Sequence, residues 1–399
     1  MLEVVLHDRA PWREHLLPMA FTRPVGAFRV GILPLHEKWQ TYLDAPVSFY
    51  TEPYLQEKFP APSLSASSFL VIRADICPTV ELVNVLVRLP DEALLEKDGD
   101  WIAYRSKRWM PEPERYALQI HVFHGVLSRL QFLEDIYLQN QQQLSDDYAL
   151  LTTGRISASL HTSNVVIGDR LFVEEGVQAF CCTFNTLQGP IYVAEGAVLE
   201  EGSHLKGPVA IGRGSRVKMG SRLYPNVSIG PGSTVGGELN NVVIWENSAK
   251  GHHGYLGCAV IGEGCNIGAG TSNSNLQNNW KHVRLYDYAS RSWRATHQYK
   301  VGTFMGDFAM CGINSSVTTG NIIGVGAQVS MSNIITKFVP DFSWMTDAKT
   351  EAYAWDKFEN MLRARAEVKK EHIHEADIRI LRTVYDLTIS GSYIPESTK

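Results

Sequence analysis

The stretch VAEGAVLEEGSHLKGPVAIGRGSRVKMGSRLYPNVSIGPGSTV, residues 193–235, has an aliphatic residue at every sixth position without a miss. Those positions are Val193, Leu199, Leu205, Ile211, Val217, Leu223, Ile229 and Val235. A six-residue period with glycine or a small polar residue after the aliphatic one builds a triangular solenoid whose aliphatic side chains stack inward. An ordinary amphipathic strand would repeat every two residues instead. The stretch therefore predicts a left-handed parallel β-helix.

The repeat continues beyond this run in shifted phases. It returns at Ile261 and Ile267, and again from Met305 to Ile335. The two gaps between these runs are each two residues longer than a whole number of hexads. Each change of phase indicates an insertion, and the second insertion contains a polar, aromatic segment at 271–300.

Composition excludes several classes of protein. The chain has 399 residues, 44% of them hydrophobic, and a net charge of −5, which fits two or three domains with cores of their own and argues against a nucleic-acid partner. No apolar run approaches the roughly 20 residues that span a bilayer, and charges interrupt the N-terminus too early for a signal peptide. We therefore predict a cytoplasmic protein without a membrane segment. The six cysteines include no Cys-x-x-Cys pair, and we predict that they are buried thiols.

The pattern divides the chain into three parts. Residues 1–160 lack hexads and alternate short apolar runs with helical patterns at 79–89 and 126–139, which predicts an α/β domain. Residues 161–336 form the predicted β-helix. Residues 337–399 form a predicted helical tail, with helices near 349–370 and 377–387, that packs on the β-helix and caps its open end.

The densest polar motif lies across the first change of phase. It reads Lys-Gly-His-His-Gly-Tyr-Leu-Gly at 250–257, Asn-Ile-Gly-Ala-Gly-Thr at 266–271 and Ser-Asn-Leu at 274–276. These stretches resemble the acetyltransferase domain of the bifunctional UDP-N-acetylglucosamine pyrophosphorylase/glucosamine-1-phosphate N-acetyltransferase family. The resemblance is closer still to a Bacteroidetes-type variant group, in which a shortened nucleotidyltransferase-like domain precedes the β-helix.

The resemblance implies roles for six residues. His252 falls on the catalytic histidine, and Lys281 falls on a lysine near the acetyl-CoA cosubstrate. The residues that bind the acceptor sugar phosphate in that family correspond to Arg222, Tyr255, Asn266 and Asn275. The resemblance also implies a homotrimer with active sites between neighbouring β-helices.

The chemistry of amide formation agrees with these residue types. An amino sugar is largely an ammonium at neutral pH, and an imidazole, with a usual pKa of about 6.5, suits the removal of its proton. Backbone N–H groups at glycine-rich corners suit the tetrahedral oxyanion without a metal. Arg222 and Lys281 would bind the two anionic partners.

The motif departs from the family pattern in ways that leave the acceptor open. Leu276 replaces a tyrosine, Asn240 takes the place of a second lysine, and His253 adds an imidazole of unassigned role. The alternative for His252 is a solvated corner histidine, and the alternative for the asparagines is corner stacking, since asparagine tolerates left-handed backbone. For Lys281 the alternative is simple surface solvation.

The first domain offers part of a nucleotidyltransferase site. Residues 17–26 resemble the segment after the glycine loop of sugar nucleotidyltransferases, and residues 69–75 resemble the strand that carries the magnesium-binding aspartate. This resemblance implies nucleotide binding by Arg23, Arg29 and Lys38 and metal binding by Asp75. No glycine precedes Gly26, so the expected phosphate loop is missing. A degenerate domain that serves as a scaffold or a weak nucleotide binder is the alternative.

The favoured function is an acetyl-CoA-dependent N-acetyltransferase that acts on an amino-sugar phosphate resembling glucosamine 1-phosphate. A coupled nucleotidyl transfer to a UDP-sugar, with Mg²⁺, in cell-wall precursor synthesis stays open. One alternative is a sugar-1-phosphate nucleotidyltransferase whose β-helix is a trimerisation scaffold. Another is a non-catalytic nucleotide-sugar-binding protein.

Overall fold

The computed structural model describes residues 2–63 and 65–391. The first part is an α/β domain. Its elements are β1 (Leu2–His7), α1 (Leu35–Leu43), β2 (Val47–Tyr50), β3 (Ser68–Arg73), β4 (Ile76–Cys77), α2 (Val80–Val87), β5 (Ala93–Lys97), β6 (Asp100–Ser106), β7 (Gln119–Val122), β8 (Ser128–Arg129) and α3 (Asp135–Thr152), with short 3₁₀ helices at Pro11–Leu16, Val25–Ala27, Pro53–Leu55 and Arg115–Ala117.

A six-stranded mixed sheet with the order β2-β1-β3-β6-β5-β7 forms the centre of this domain. Strands β1, β2 and β3 are parallel, and β6 is antiparallel to β3. Residues 3–7 of β1 and 69–73 of β3 are buried, which is why both read as largely apolar runs rather than as alternating patterns. Helix α3 begins nine residues later than the sequence pattern predicts, at Asp135 rather than Val126.

The second part is the β-helix. Its strands are β9 (Val165–Ile167), β10 (Leu171–Val173), β11 (Gln178–Ala179), β12 (Thr183–Asn185), β13 (Ile191–Val193), β14 (Val198–Leu199), β15 (His204–Lys206), β16 (Val209–Ile211), β17 (Arg216–Val217), β18 (Arg222–Leu223), β19 (Val227–Ile229), β20 (Thr234–Val235), β21 (Glu238–Ile244), β22 (Ala249–Lys250), β23 (Tyr255–Ile261), β24 (Asn266–Ile267), β25 (Ser272–Asn273), β28 (Thr303–Met305), β29 (Met310–Cys311), β30 (Ser316–Val317), β31 (Asn321–Ile323), β32 (Gln328–Ser330), β33 (Phe338–Val339) and β34 (Ser343–Thr346), interrupted by an inserted hairpin of β26 (Arg284–Asp287) and β27 (Ser292–Ala295).

The hexads stack as the sequence predicts. Strands of successive turns pair in parallel, and all eight aliphatic residues of the 193–235 run are buried in one core. The predicted fold class, an α/β domain followed by a left-handed parallel β-helix and a helical tail, is confirmed. The domain boundaries stay predictions, and the parallel pairing runs on to β34, past the predicted end of the β-helix at residue 336.

The second insertion ties the β-helix to the first domain. Its β26–β27 hairpin is antiparallel, and His15 Nδ1 lies 2.8 Å from Asp287 Oδ1. Arg294 Nη1 donates to Glu134 Oε1 over 2.7 Å. The polar, aromatic insertion is therefore a docking element, because its charged side chains pair with the first domain.

The third part contains β35 (Thr350–Ala352), α4 (Trp355–Lys369) and α5 (Glu375–Thr388). Strand β35 pairs antiparallel with β34 and covers the edge of the last β-helix strand. Phe358 of α4 packs on Phe342 of the β-helix, and Lys58 Nζ of the first domain lies 2.6 Å from Asp377 of α5. The tail thus packs on the β-helix, as the sequence predicts, and on the first domain as well.

Five cysteines are buried free thiols, but Cys181 is exposed. No helix within residues 2–63 and 65–391 is long and apolar enough to cross a membrane.

The two large domains meet at an ion cluster. Arg23 Nη2 lies 2.6 Å from Glu263 and 2.8 Å from Asp307, and its guanidinium stacks 4.5 Å from the ring of Trp245. Arg29 Nη2 lies 2.6 Å from Glu246. Burial opposes ionisation of Glu246, but Arg29 and Arg23 together lower its pKa to about 2. These contacts fix the domains against each other.

The substitution Arg23→Met should reduce the free energy of unfolding by about 3 kcal/mol, because it leaves the carboxylate of Asp307 buried without its cation. Urea denaturation measures this change. The matched control is Arg216→Met, since Arg216 pairs with Glu200 at the surface and should contribute less than about 1 kcal/mol. Equal effects of the two substitutions would contradict the assigned role of the interface.

Candidate active site

His252 and His253 lie on an exposed corner between β22 and β23. The corner is stacked between two glycine-containing corners, with Glu238 N donating to Gly254 O over 3.0 Å on one side and Gly270 N donating to His253 O over 3.1 Å on the other. Gly254 has φ +123°, and a Cβ there would lie 2.1 Å from Thr271 O. Glycine is therefore required at this corner.

The backbone donors of this corner are available. Within the described chain, the N–H groups of residues 251–254 donate to no protein acceptor, whereas Tyr255 N donates to Ser272 Oγ over 2.9 Å. Free N–H groups beside an exposed imidazole are the arrangement that a developing oxyanion requires.

Tyr255 and Asn275 form a pair beside the corner. Asn275 Nδ2 donates to Tyr255 Oη over 3.0 Å and lies 3.4 Å from Cys258 Sγ. Burial is the largest cause that raises the pKa of Tyr255, so the phenol stays protonated at neutral pH. Its hydroxyl hydrogen remains available to a ligand because Asn275 uses only an oxygen lone pair.

Arg222 lies on the same sheet face as Tyr255. Arg222 pairs in register with Glu238, and Glu238 pairs with Tyr255, so two strand spacings of about 4.8 Å separate the main chains of Arg222 and Tyr255. Arg222 Nη2 also lies 3.3 Å from Glu238 Oε2. A groove of about 300 Å³ continues from Arg222 away from the corner, lined by Thr183, Asn185, His204, Lys206 and Tyr224.

Two predicted residues lie apart from this face. Asn266 is exposed on β24, in the other long sheet, where it pairs with Ala249. Lys281 is exposed in the second insertion. Among the described residues, neither Asn266 nor Lys281 forms a hydrogen bond or an ion pair with His252.

The basic residues predicted for the first domain are engaged internally. Arg23 and Arg29 lie in the ion cluster between the domains, where their guanidinium groups form ion pairs with carboxylates. Lys38 is fully buried, with Nζ 3.0 Å from Asp147 and 2.7 Å from Gln143 of α3. None of these three cations is presented to a phosphate in this arrangement. Sequence reasoning missed the carboxylate partners because they lie more than 100 residues away in the chain.

Asp75 lies just after β3 and is buried. Arg73 donates to both of its oxygens, over 3.1 and 2.9 Å, and Arg129 Nε donates to Oδ2 over 2.6 Å. No group of three or more His, Cys, Asp or Glu residues that could hold a metal occurs in the described ranges. As placed, these residues do not fit a magnesium ion, because two guanidinium groups take the positions of the metal.

A cavity that sequence reasoning missed lies beside Asp75. It has a volume of about 350 Å³. Its charged lining residues are the cations Arg73, Lys97 and Arg129 and the carboxylates Asp98, Asp100 and Asp135, and Trp101 contributes an aromatic ring. It opens near the carboxyl end of β3, the edge at which parallel sheets bind ligands. The position at this edge of the sheet is the feature from which a ligand cavity could have been predicted.

Residues 4–156 match a protein-family model described as sugar nucleotidyl transferase. The chain is 36% identical over 103 residues to the bifunctional protein GlmU of Azotobacter vinelandii, covering 26% of this chain and 18% of that protein. It is 32% identical over 102 residues to a bifunctional sugar-1-phosphate nucleotidylyltransferase/acetyltransferase of Sulfurisphaera tokodaii, covering 26% and 25%. The chain thus spans a quarter or less of the length of these relatives.

Among solved structures, an Arabidopsis UDP-N-acetylglucosamine acyltransferase is similar with 16% identity and a TM-score of 0.30, covering 52% of this chain and 77% of that one. The matched residues 4–156 are also the part of the chain that forms the α/β domain of the structure. Residues 4–156 of the chain are therefore similar to the sugar nucleotidyl transferase family, and a parallel β-helix follows them.

Proposed function

We propose that the β-helix is an acetyl-CoA-dependent N-acetyltransferase that acts on an amino-sugar phosphate. The observation that carries the proposal is the His252 corner, where an exposed imidazole stands among backbone N–H groups without protein acceptors. The similarity to bifunctional nucleotidylyltransferase/acetyltransferases supports the same chemistry.

His252 would act as the general base. The acceptor ammonium first loses one proton to solvent, and the amine nitrogen attacks the thioester carbonyl. His252 takes the second proton as the C–N bond forms and passes it to the sulfur as the C–S bond breaks. The products are the N-acetylated sugar phosphate and the free thiol of coenzyme A.

The phosphate of the acceptor would lie along the face that carries Arg222. Arg222 is exposed, and Lys206 and His204 line the groove next to it. A planar guanidinium binds phosphate oxygens in a bidentate manner, which orients the sugar with its amine toward the corner. Tyr255 and Asn275 would hold the sugar between the phosphate and His252.

We propose that a homotrimer completes the site. The corner is open to water in one chain, and a neighbouring β-helix would cover it and exclude solvent from the thioester. Asn266 and Lys281 would then contact acceptor or acetyl-CoA across the boundary between protomers. The cytoplasmic location stays a prediction.

For the first domain we propose binding of a sugar nucleotide in the cavity beside Asp75, with Lys97 as the cation for its phosphates and Trp101 as an apolar wall. The family match at residues 4–156 supports this ligand class. This proposal assigns no metal to Asp75, since its carboxylate is paired with Arg73 and Arg129. Pyrophosphate release from UTP, Mg²⁺ and N-acetylglucosamine 1-phosphate would contradict this assignment.

The substitution His252→Gln should reduce thiol release from acetyl-CoA and glucosamine 1-phosphate at least about 100-fold, because it removes the base. The assay follows free thiol with a chromogenic disulfide. His253→Gln is the matched control on the same corner and should stay within about threefold of the wild type. An active His252→Gln variant would exclude this histidine as the base.

The substitution Arg222→Ala should raise the KM for the sugar phosphate at least about tenfold and leave the KM for acetyl-CoA unchanged, because it removes a charge-assisted bond to phosphate. Steady-state kinetics at varied acceptor concentration measure the effect. Arg216→Ala is the control, since Arg216 is also an exposed arginine paired with one glutamate. Equal KM values for the two variants would remove Arg222 from the site.

A further inference from the structure

Lys250 occupies a position that the hexads otherwise reserve for apolar side chains. In its inward column the register places Leu199, Val217 and Val235 before it, and Ile267, Cys311, Val329 and Met345 after it. Lys250 is only 1% exposed. A lysine inside a β-helix core requires a reason, because burial of an ammonium is costly unless its donors are satisfied.

The ammonium is satisfied by main-chain carbonyls. Lys250 Nζ donates to His252 O over 2.6 Å, to His253 O over 3.2 Å and to Gly236 O over 3.5 Å. None of the ion pairs in the described part of the chain includes Lys250. Burial lowers its pKa to about 8, so the side chain is still mostly an ammonium at pH 7.

These contacts fix the direction of two peptide groups. In a trans peptide the C=O and the following N–H point in opposite directions. The carbonyls of His252 and His253 accept from the buried ammonium, so the N–H groups of His253 and Gly254 point away from it. The His253 carbonyl also accepts from Gly270 N over 3.1 Å, whereas in the described ranges Lys250 is the only donor to the His252 carbonyl. Both N–H groups are among those that donate to no protein acceptor in the described ranges.

We propose that Lys250 is a positioning residue, whose ammonium aligns the His252 and His253 peptides so that the N–H groups of His253 and Gly254 form the oxyanion site beside the His252 imidazole. This inference rests on the proposed acyl transfer. The ammonium also polarises both peptides, which makes the two N–H groups stronger donors. It never touches the substrate.

A stabilising role and a positioning role make different predictions for Lys250→Met. Methionine has a similar length and suits an apolar column, so the variant should fold with a Tm near that of the wild type. Without the ammonium, kcat for thiol release should fall at least about tenfold, while the KM of each substrate stays within about twofold.

The test combines these kinetics with a crystal structure of Lys250→Met, which reports the two peptide orientations without reference to activity. The proposal expects the His252 carbonyl to turn outward, together with the loss of kcat, while Gly270 N still holds the His253 carbonyl. Val235→Ala is the control, since it leaves a cavity one strand away and should lower Tm without a selective loss of kcat. If Lys250→Met does not fold, Lys250→Leu, which also lacks a donor, replaces it and carries the same expectations.

The outcomes separate this inference from the function on which it rests. A Lys250→Met variant with unchanged peptides and unchanged kcat overturns the positioning role. Wild-type protein without acyl transfer overturns the proposed function, and the peptide orientations in the variant then decide the role of Lys250 alone. A KM that rises with unchanged kcat would move Lys250 to substrate binding and also overturn the inference.

Discussion

The inward stacking of one aliphatic side chain per hexad is the interaction on which the rest of the structure depends. Each turn buries its aliphatic residues only against the turns before and after it, so the core between Val193 and Val235 forms as a column. The glycine corners follow from this stacking because consecutive turns lie one strand spacing apart. At Gly254 that spacing leaves no room for a Cβ. The same corner carries His252, so the repeat that builds the fold also presents the imidazole and the backbone N–H groups.

The first domain and the tail are fixed to this column by one shared apolar cluster, which includes Phe28, Trp245 and Phe358, and by charges at its edge rather than by a second repeat. Arg23 and Arg29 reach Glu246, Glu263 and Asp307 on the β-helix, and the inserted hairpin reaches back through Arg294 to Glu134. The arginines that a nucleotidyltransferase resemblance assigns to phosphates thus hold the domains together. Asp75 is likewise engaged within the protein: its carboxylate forms ion pairs with Arg73 and Arg129 instead of binding a metal. In this chain cations satisfy internal carboxylates where catalysis would require a phosphate or a metal.

The sequence predicted what is local and periodic. The β-helix followed from a six-residue period, and the His252 corner followed from a short motif whose members lie on adjacent turns. The partners of Arg23 could not be predicted, because they lie about 220 to 285 residues away and no pattern relates them. Helix α3 was misplaced because its inner face carries the buried polar residues Asn140, Gln143 and Asp147, which hide the apolar period. The burial of Lys250 was not predicted, because Lys250 follows its partner Val235 by fifteen residues and a count in hexads does not place it inward.

The most direct test of the account is a crystal structure of the full chain with coenzyme A and glucosamine 1-phosphate bound together. We expect the sugar amine about 3 Å from an imidazole nitrogen of His252, with the phosphate on Arg222 and the coenzyme A thiol next to the amine. Amine and thiol far from His252, or a sugar phosphate seated only in the cavity beside Asp75, would contradict the claim that this corner is an acetyltransferase site.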